Sequence, residues 1–213
     1  MSTQDILRAE RGVILAVDDE PDILIALEDL LEDQYEVLTA SSPSRGLEIL
    51  RARPDVLVIV SDERMPGMMG HAFLRAAREM SEAQAILLTG YADLPAVVAA
   101  LNEGRISGYM RKPWDADALR AMVMNAAQRR RLELELALER ALLRGLLTHL
   151  PDAISFKDAQ GRFLRLNAAK ASRIGCALDD CVGRIESDLL TDEAAAAALR
   201  AADQAAVAKG ESV

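Results

Sequence analysis

The sequence predicts an α/β protein: a doubly wound, five-stranded parallel sheet, then a long α-helix and a small α+β segment. Three observations carry this prediction. Residues 13–113 alternate between apolar, β-branched runs and helical patterns. Residues 115–149 contain no proline and a single glycine, Gly145. From Leu150 the sequence changes again, to short apolar runs separated by turn residues.

Five apolar runs in the first part are predicted as strands. They are Val13–Val17, Val37–Leu38, Val56–Val60, Ile86–Leu88 and Ile106–Met110. Between them, apolar residues recur at helical spacing, around Ile23, Leu47, Phe73 and Val97. Continuous apolar strands that alternate with helices are typical of a parallel sheet covered on both faces. Five such units in about 105 residues predict one doubly wound domain.

The second part, residues 115–150, is predicted as a helix. The run Arg131–Leu138 alternates with period two, as a strand does. We nevertheless predict a helix, because leucine, glutamate and alanine are strong helix formers and glutamate and alanine are depleted in strands.

This helix carries leucines on two faces. One face has Leu132, Leu136, Leu143, Leu146 and Leu150, and the other has Leu134, Leu138 and Ala141. A strict heptad fails along 119, 123, 126, 130 and 133, because the last two positions are Arg130 and Glu133. The pattern therefore predicts not a perfect coiled coil but a shorter helical connector that pairs with a copy of itself.

The third part is predicted as a hairpin followed by helices. Its strands are residues 153–156 and 162–166, joined by the turn Asp158–Gly161. Short helices follow around 167–175 and 178–181, and an alanine-rich helix runs from Asp192 to about Lys209.

Composition excludes several functional classes. The net charge of −9 and the aromatic content of 3% disfavour nucleic acid as a direct partner. No apolar stretch is long enough to predict a membrane span, and the N-terminus lacks the apolar core of a signal peptide. Cys176 and Cys181 form neither a disulfide framework nor a zinc signature, so we expect a reduced, cytoplasmic compartment.

Charged and hydroxyl residues follow four of the predicted strands. Asp18 and Asp19 follow the first, Asp62 the third, Thr89 the fourth and Lys112 the fifth. In open parallel sheets, ligands bind beyond these strand ends. Clustered carboxylates need a cation, and oxygen ligands suit Mg²⁺. A carboxylate can also accept a phosphoryl group, which a lysine and a hydroxyl then stabilise. The set predicts a phosphoryl-accepting site, although Asp18 and Asp19 taken singly could equally cap a helix.

Four motifs resemble the receiver domain of two-component response regulators, over about residues 11–125. They are Val17–Pro21, Ser61–Gly70, Leu88–Tyr91 and Arg111–Trp114. The resemblance implies a flavodoxin-like sheet in the order 2-1-3-4-5, which is the order given for a chemotaxis receiver and is taken over with the family. It also implies a sensor histidine kinase or phosphotransfer protein as partner.

The resemblance assigns roles to individual residues. Asp62 is the expected phosphoacceptor, and Asp18, Asp19 and Asp62 with the backbone carbonyl of Arg64 are the expected Mg²⁺ ligands. Lys112 is expected to contact the phosphoryl group, and the Lys112–Pro113 peptide is expected to be cis.

A second set of residues is expected to carry the response. Thr89 and Tyr109 correspond to the family's switch pair, in which the hydroxyl moves to the phosphate and the ring follows inward. For Tyr109, plain core packing is an equally weighted alternative. Gly90 leaves room for the phosphoryl group, and Arg64 and Tyr91 stand where the family sets the lifetime of the phosphoryl group.

The last part of the chain contains five short motifs, Leu147–Ile154, Lys157–Phe163, Asn167–Ala169, Cys181–Arg184 and Glu186–Leu190. With these motifs, residues 147–213 resemble the start of a PAS sensor domain. A complete domain of this kind needs roughly 100 residues, and three strands that normally follow are missing. We therefore expect a piece of a longer protein, with the PAS ligand unknown.

The leading hypothesis is a response regulator that signals through a dimeric helix to the PAS module, with no effector catalytic domain in these residues. The alternative is the receiver–PAS part of a larger histidine kinase or cyclic-dinucleotide enzyme. A third, weaker reading is a scaffold that works without phosphorylation, which the complete acidic set and Lys112 disfavour.

Overall fold

A five-stranded parallel sheet forms the first part of the chain. The structure, a computed structural model, describes residues 11–90, 106–189, 196–198, 201 and 205. The strand order is β2-β1-β3-β4-β5, and every neighbouring pair is parallel. This confirms the predicted fold class. The chain divides into two compact units, Met1–Glu135 and Leu136–Val213, which are described separately below.

In the described residues that precede the long helix, the chain forms five strands and three helices. The elements are β1 (Gly12–Val17), α1 (Pro21–Leu31), β2 (Tyr35–Ala40), α2 (Pro43–Ala52), β3 (Val56–Asp62), α3 (Gly70–Arg78), β4 (Gln84–Thr89) and β5 (Gly108–Arg111). The strand β5 begins two residues later than the apolar run that predicted it. The helical pattern around Val97 lies outside the described residues.

Local sequence explains where two of these helices begin. Pro21 is the first residue of α1, where proline's missing N–H costs no hydrogen bond. At α2, the Ser42 hydroxyl accepts a hydrogen bond from the Arg45 amide, and Pro43 follows at the first helical position. The helix α3 differs, because Met69 occupies its cap position and provides no capping side chain.

Two apolar clusters cover the two faces of the sheet. One joins Leu15 and Ile59 to Leu50 and Phe73 of the helices α2 and α3. The other joins Ile14 and Val58 to α1 and to the start of the long helix. Because both faces are covered, β3 and β4 are buried along their full length.

The long helix, α4, spans Ala116–His149. It includes the period-two run at 131–138, so the helix prediction there is confirmed. Leu119, Val123 and Ala126 are buried against the sheet. The track that failed as a heptad in the sequence is therefore the face that α4 uses to pack on its own domain. No helix in the described part of the chain has the length and hydropathy needed to cross a bilayer.

A small antiparallel hairpin begins the second fold. It consists of β6 (Ser155–Lys157) and β7 (Phe163–Leu166), followed by α5 (Ala168–Ile174), α6 (Leu178–Cys181) and a 3₁₀ turn at Glu186–Asp188. Phe163, Leu166, Ala171 and Cys181 form its apolar cluster. Gly161 has a φ of 77° at the turn between the strands, a conformation that favours glycine. The predicted helix from Asp192 to Lys209 falls mostly outside the described residues.

Asn167 ties the hairpin to the segment that follows α4. Its side-chain oxygen accepts hydrogen bonds from the amides of Ile154 and Lys170, and its amide group donates to the carbonyls of Leu150 and Asp152. The side chain is almost fully buried. One residue therefore caps α5 and fixes the path of residues 150–154.

A buried carboxylate makes a second connection in this unit. The Glu186 carboxylate lies 2.7 Å from the Lys170 amine and 3.0 Å from the Lys157 amine. Burial raises the pKa of Glu186, but the hydrogen bonds from Lys170 and Lys157 outweigh burial and leave this pKa below its ordinary value. The cluster links β6, α5 and the 3₁₀ turn.

Candidate phosphoryl-acceptor site

Asp18 lies at the carboxyl end of β1 and is buried. Its amide donates to the carbonyl of Ala40 at 3.1 Å, which continues the hydrogen bonding between β1 and β2 by one residue. Its Oδ1 atom accepts from the amide of Glu20 at 2.9 Å. The backbone on both sides thus fixes the direction of the carboxylate.

Asp62 is the last residue of β3, and it is also buried. Its Oδ2 atom accepts from the amide of Arg64 at 2.6 Å. The next amide, of Glu63, donates to the carbonyl of Leu88 on β4 at 2.9 Å. The carboxylate therefore stands at the end of the central strand, held by the turn that follows it.

Lys112 brings these two carboxylates together. Its amine lies 2.5 Å from Asp62 Oδ1, 2.8 Å from Asp18 Oδ2 and 3.9 Å from Glu20 Oε1. Lys112 directly follows β5, and its amide donates to the Thr89 carbonyl at 2.8 Å. Three strand ends therefore contribute to one charged cluster, as the parallel topology predicts.

The pKa values of this cluster show opposing effects of burial and charge. Burial raises the pKa of Asp18 above its ordinary value, and the hydrogen bonds from Lys112 and from the Glu20 amide offset this only in part. Burial alone lowers the pKa of Lys112, but the hydrogen bonds to Asp18 and Asp62 outweigh it, so this pKa is raised. Lys112 is thus held as a cation between two carboxylates.

The remaining expected residues surround the cluster to different extents. Thr89 ends β4, is buried, and donates from its hydroxyl to the Gly90 carbonyl at 3.1 Å. Tyr109 is partly buried and packs against the cluster that contains Phe73. The Lys112–Pro113 peptide bond is cis. Tyr91 lies outside the described residues.

Asp19 is exposed, unlike Asp18 and Asp62. Within the part of the chain that the structure describes, no group of three or more acidic, histidine or cysteine side chains is arranged to hold a metal ion. The donor chemistry nevertheless fits Mg²⁺, because Asp18 and Asp62 present carboxylate oxygens from adjacent strands and are balanced here by one ammonium group.

Glu63 and His71 were not identified from the sequence as a pair. Glu63 follows Asp62 and is almost completely buried. Its Oε2 atom accepts from the His71 amide at 2.9 Å, and its Oε1 atom lies 2.6 Å from His71 Nδ1. Since Met69 cannot cap α3, this carboxylate caps the helix from eight residues away. The missing cap at Met69 was the one available signal in the sequence.

Gly70 closes the same turn. Its amide donates to the Glu63 carbonyl at 2.8 Å. A Cβ atom at this position would lie only 2.0 Å from the carbonyl oxygen of Asp62. The segment 63–70 is therefore folded tightly onto the backbone of Asp62, and only glycine allows this approach.

Two parts of the chain match known protein families. Residues 14–124, just over half of the chain, match the family model described as response regulator receiver domain. The chain belongs to the response regulator receiver family. Residues 147–213 match the model described as PAS fold. The chain therefore contains a receiver domain of a two-component response regulator followed by a PAS region, as expected from the motifs.

Solved receivers share the fold. A response regulator receiver domain protein from Clostridium thermocellum superposes with a TM-score of 0.54 at 38% identity, covering 57% of this chain and 98% of that one. A protein described as an adenylate cyclase from Rhodopirellula baltica gives a TM-score of 0.58 at 30% identity, covering 63% of this chain and 98% of that one.

Curated relatives are transcriptional regulators. The hydrogenase transcriptional regulatory protein HoxA of Cupriavidus necator is 36% identical over 63% of this chain and 30% of its own length. The DNA-binding transcriptional regulator NtrC of Escherichia coli is 37% identical over 55% of this chain and 25% of its own length. The chain thus spans less than a third of the length of these relatives.

Proposed function

We propose that this receiver accepts a phosphoryl group on Asp62 from the phosphohistidine of a sensor kinase or phosphotransfer protein. The observation that carries the proposal is the bridge from Lys112 to both Asp18 and Asp62 at the ends of three strands. A carboxylate oxygen of Asp62 would attack phosphorus, the N–P bond of the donor would break, and the leaving imidazole would take a proton from solvent.

Lys112 and the acidic residues would share the charge of this step. Mg²⁺, when bound, would neutralise the carboxylates and the phosphoryl oxygens. We propose Asp18, Asp19, Asp62 and the carbonyl of Arg64 as its ligands. Lys112 would exchange its contact with the Asp62 carboxylate for one with a phosphoryl oxygen, which keeps a cation next to the developing charge.

We further propose that Thr89 and Tyr109 convert phosphorylation into a conformational change. Thr89 ends the strand next to Asp62, and Tyr109 pairs in register with Leu87 on that strand. A Thr89 hydroxyl that turned toward the phosphoryl group would leave its contact with Gly90, and the Tyr109 ring would move inward. Gly90 would leave space for the group, and Arg64 and Tyr91 would set its lifetime.

The output is proposed to pass from a receiver at residues 11–125 through a helical connector at 115–150 to a PAS segment at 147–213. The connector would act as a homodimer, because it exposes leucines along its length. Phosphorylation can shift the equilibrium between two conformational states of the receiver only if these states interact differently with the phosphoryl group.

Intact-mass measurement tests the acceptor. Incubation with acetyl phosphate and Mg²⁺ should add one phosphoryl mass to the wild type and none to Asp62→Asn. The matched control is Asp55→Asn, which removes an exposed carboxylate from the same domain and should leave labelling unchanged. Persistent labelling of the Asp62 variant would place the acceptor elsewhere.

A second candidate is the receiver–PAS part of a larger histidine kinase or cyclic-dinucleotide signalling enzyme. It is favoured by the structural similarity to the Rhodopirellula baltica protein described as an adenylate cyclase. The complete gene product, incubated with ATP or GTP, should release a cyclic nucleotide or become phosphorylated on histidine if this candidate is correct. Neither product is expected from a regulator without an enzymatic output.

A further inference from the structure

Two leucine faces of α4 are exposed in the structure, and heptad spacing distinguishes one of them as a seam. Within the receiver, α4 buries Leu119 and Val123. That contact fixes the rotational phase of the helix, because residues three and four apart share a face. Beyond the receiver, only residues of α4 that the fold leaves exposed can contact a partner.

The exposed leucines of α4, together with Leu150 directly after its end, form two groups by heptad position, and exposed Leu142 lies at position g beside the first group. With Leu136 at position a, the core positions from 132 to 150 are occupied by leucine except at Glu139. This seam consists of Leu132, Leu136, Leu143, Leu146 and Leu150, whose exposures range from 38 to 57%. Leu134 and Leu138 fall at positions f and c, on the opposite face, where the next turns carry Ala141, Gly145 and Thr148.

We propose that this seam binds the same seam of a second copy of the chain, as a parallel, in-register, two-stranded coiled coil. The inference rests on the proposed dimeric connector and specifies its face, direction and register. A seam of identical leucines is complementary to itself, since parallel helices in register place equal heptad positions side by side.

Charge at the flanks of the seam favours this occupant and this direction. Glu135 occupies position g and Arg140 position e, and both are exposed. In a parallel pair, position g of one helix meets the e position five residues later in the other helix. Glu135 of each chain would then meet Arg140 of its partner, twice per dimer. An antiparallel pair brings g next to g and loses both attractions.

The seam predicts a weak dimer that can be regulated. From residue 132 to 150 it covers about 27 Å at about 1.5 Å per residue, or fewer than three heptads. Glu139 at a core position adds two like charges that face each other. The upstream core positions are Met122, Asn125 and Arg129, which bring little apolar surface. Association should therefore depend on concentration over the micromolar range.

Sedimentation velocity of the full 213-residue chain tests the face. Leu136→Lys should raise the dimer dissociation constant by at least about 100-fold, because two leucines leave the interface and two charges enter it. The matched control Leu138→Lys makes the same change on the opposite face and should leave the constant within about twofold of the wild type. Equal loss in both variants, or a dimer that survives Leu136→Lys, would overturn the seam.

Glu139→Leu provides a test in the opposite direction. It replaces the one charged core position of the seam and should lower the dissociation constant by about tenfold or more. An unchanged or higher constant would contradict the assignment of Glu139 to the core.

Direction and register are tested by disulfide formation. In a Cys176→Ser background, Leu132→Cys should oxidise to a covalent dimer, because a disulfide requires Cα atoms within about 7 Å. Leu134→Cys should not. Glu135→Arg should weaken the dimer, and the double variant with Arg140→Glu should restore it.

The outcomes separate this inference from the dimer proposal itself. If the wild-type chain dimerises in sedimentation but the Leu132→Cys variant forms no intermolecular disulfide, the dimer proposal stands and the parallel seam is wrong. A chain that stays monomeric at all concentrations, with and without phosphorylation, contradicts both.

Discussion

Gly70→Ala should destabilise the receiver, because glycine at this position allows the loop to touch the phosphoacceptor's own backbone. The added Cβ would lie 2.0 Å from the Asp62 carbonyl oxygen, 2.9 Å from its carbonyl carbon and 2.9 Å from Glu63 Cα. The first distance is about 1.4 Å short of ordinary van der Waals contact. All three atoms belong to backbone, so no side chain can move aside.

The expected cost is about 1–3 kcal/mol, the range for overpacking a well-packed site. The φ of Gly70 is not positive, so alanine is otherwise compatible with this first helical position. For a domain of this size the cost corresponds to a fall in melting temperature of about 4–12 °C. The forced shift of Asp62 should also slow phosphorylation by acetyl phosphate.

Fluorescence of Trp114 gives a readout restricted to the receiver. Trp114 is the single tryptophan of the chain and packs against the cluster on one sheet face. The comparison variant is Gly46→Ala, where the new Cβ meets the Phe73 ring at 3.0 Å. A ring can yield by a few tenths of an ångström, so the loss should stay below about 1 kcal/mol. The reasoning is refuted if Gly70→Ala unfolds at the wild-type midpoint, or if Gly46→Ala loses more.

Three other substitutions test contacts described above. Glu63→Ala should remove the remote cap of α3 and lower the free energy of unfolding, followed by Trp114 fluorescence, by about 1–2 kcal/mol. Adding Met69→Asn should restore about half of this loss. A double variant that recovers no stability would contradict a capping role for Glu63. The pKa of Glu186 is lowered, so its contribution to stability is present above the ordinary glutamate pKa and is lost as pH falls through the lowered value. Hydrogen-exchange protection of residues 155–171 should therefore fall in acid more in the wild type than in Glu186→Gln, and equal loss in both would refute this. Asn167→Ala should leave several buried backbone groups unpaired, and residues 150–154 should lose protection at least tenfold while the receiver keeps its own.

The site residues differ in how far the sequence could locate them. Asp18, Asp62 and Lys112 each directly follow or end an apolar strand, and in a parallel sheet such ends meet at one edge. Their proximity was therefore predictable once the strands were. The Glu63–His71 contact was not, because it depends on how the loop 63–70 folds back. Periodicity carries no signal for a contact of this kind.

The long helix separates the two levels of information most clearly. Its existence was predictable from propensity, since Leu, Glu and Ala outweigh a misleading period-two run. Its apolar faces were also visible. The sequence did not show which face of the helix packs on the receiver, or which leucines remain exposed for a partner, because several faces of the helix carry apolar residues.

The sequence by itself determined the alternation of strands and helices, the parallel sheet and the set of charged residues at its edge, because these follow from local propensity and periodicity. Only the tertiary structure decided that Lys112 joins Asp18 to Asp62, that Glu63 caps α3, and that Leu119 rather than Leu132 faces the sheet. These contacts depend on distances between residues far apart in the chain or on the rotation of a helix about its axis, and close packing alone sets both.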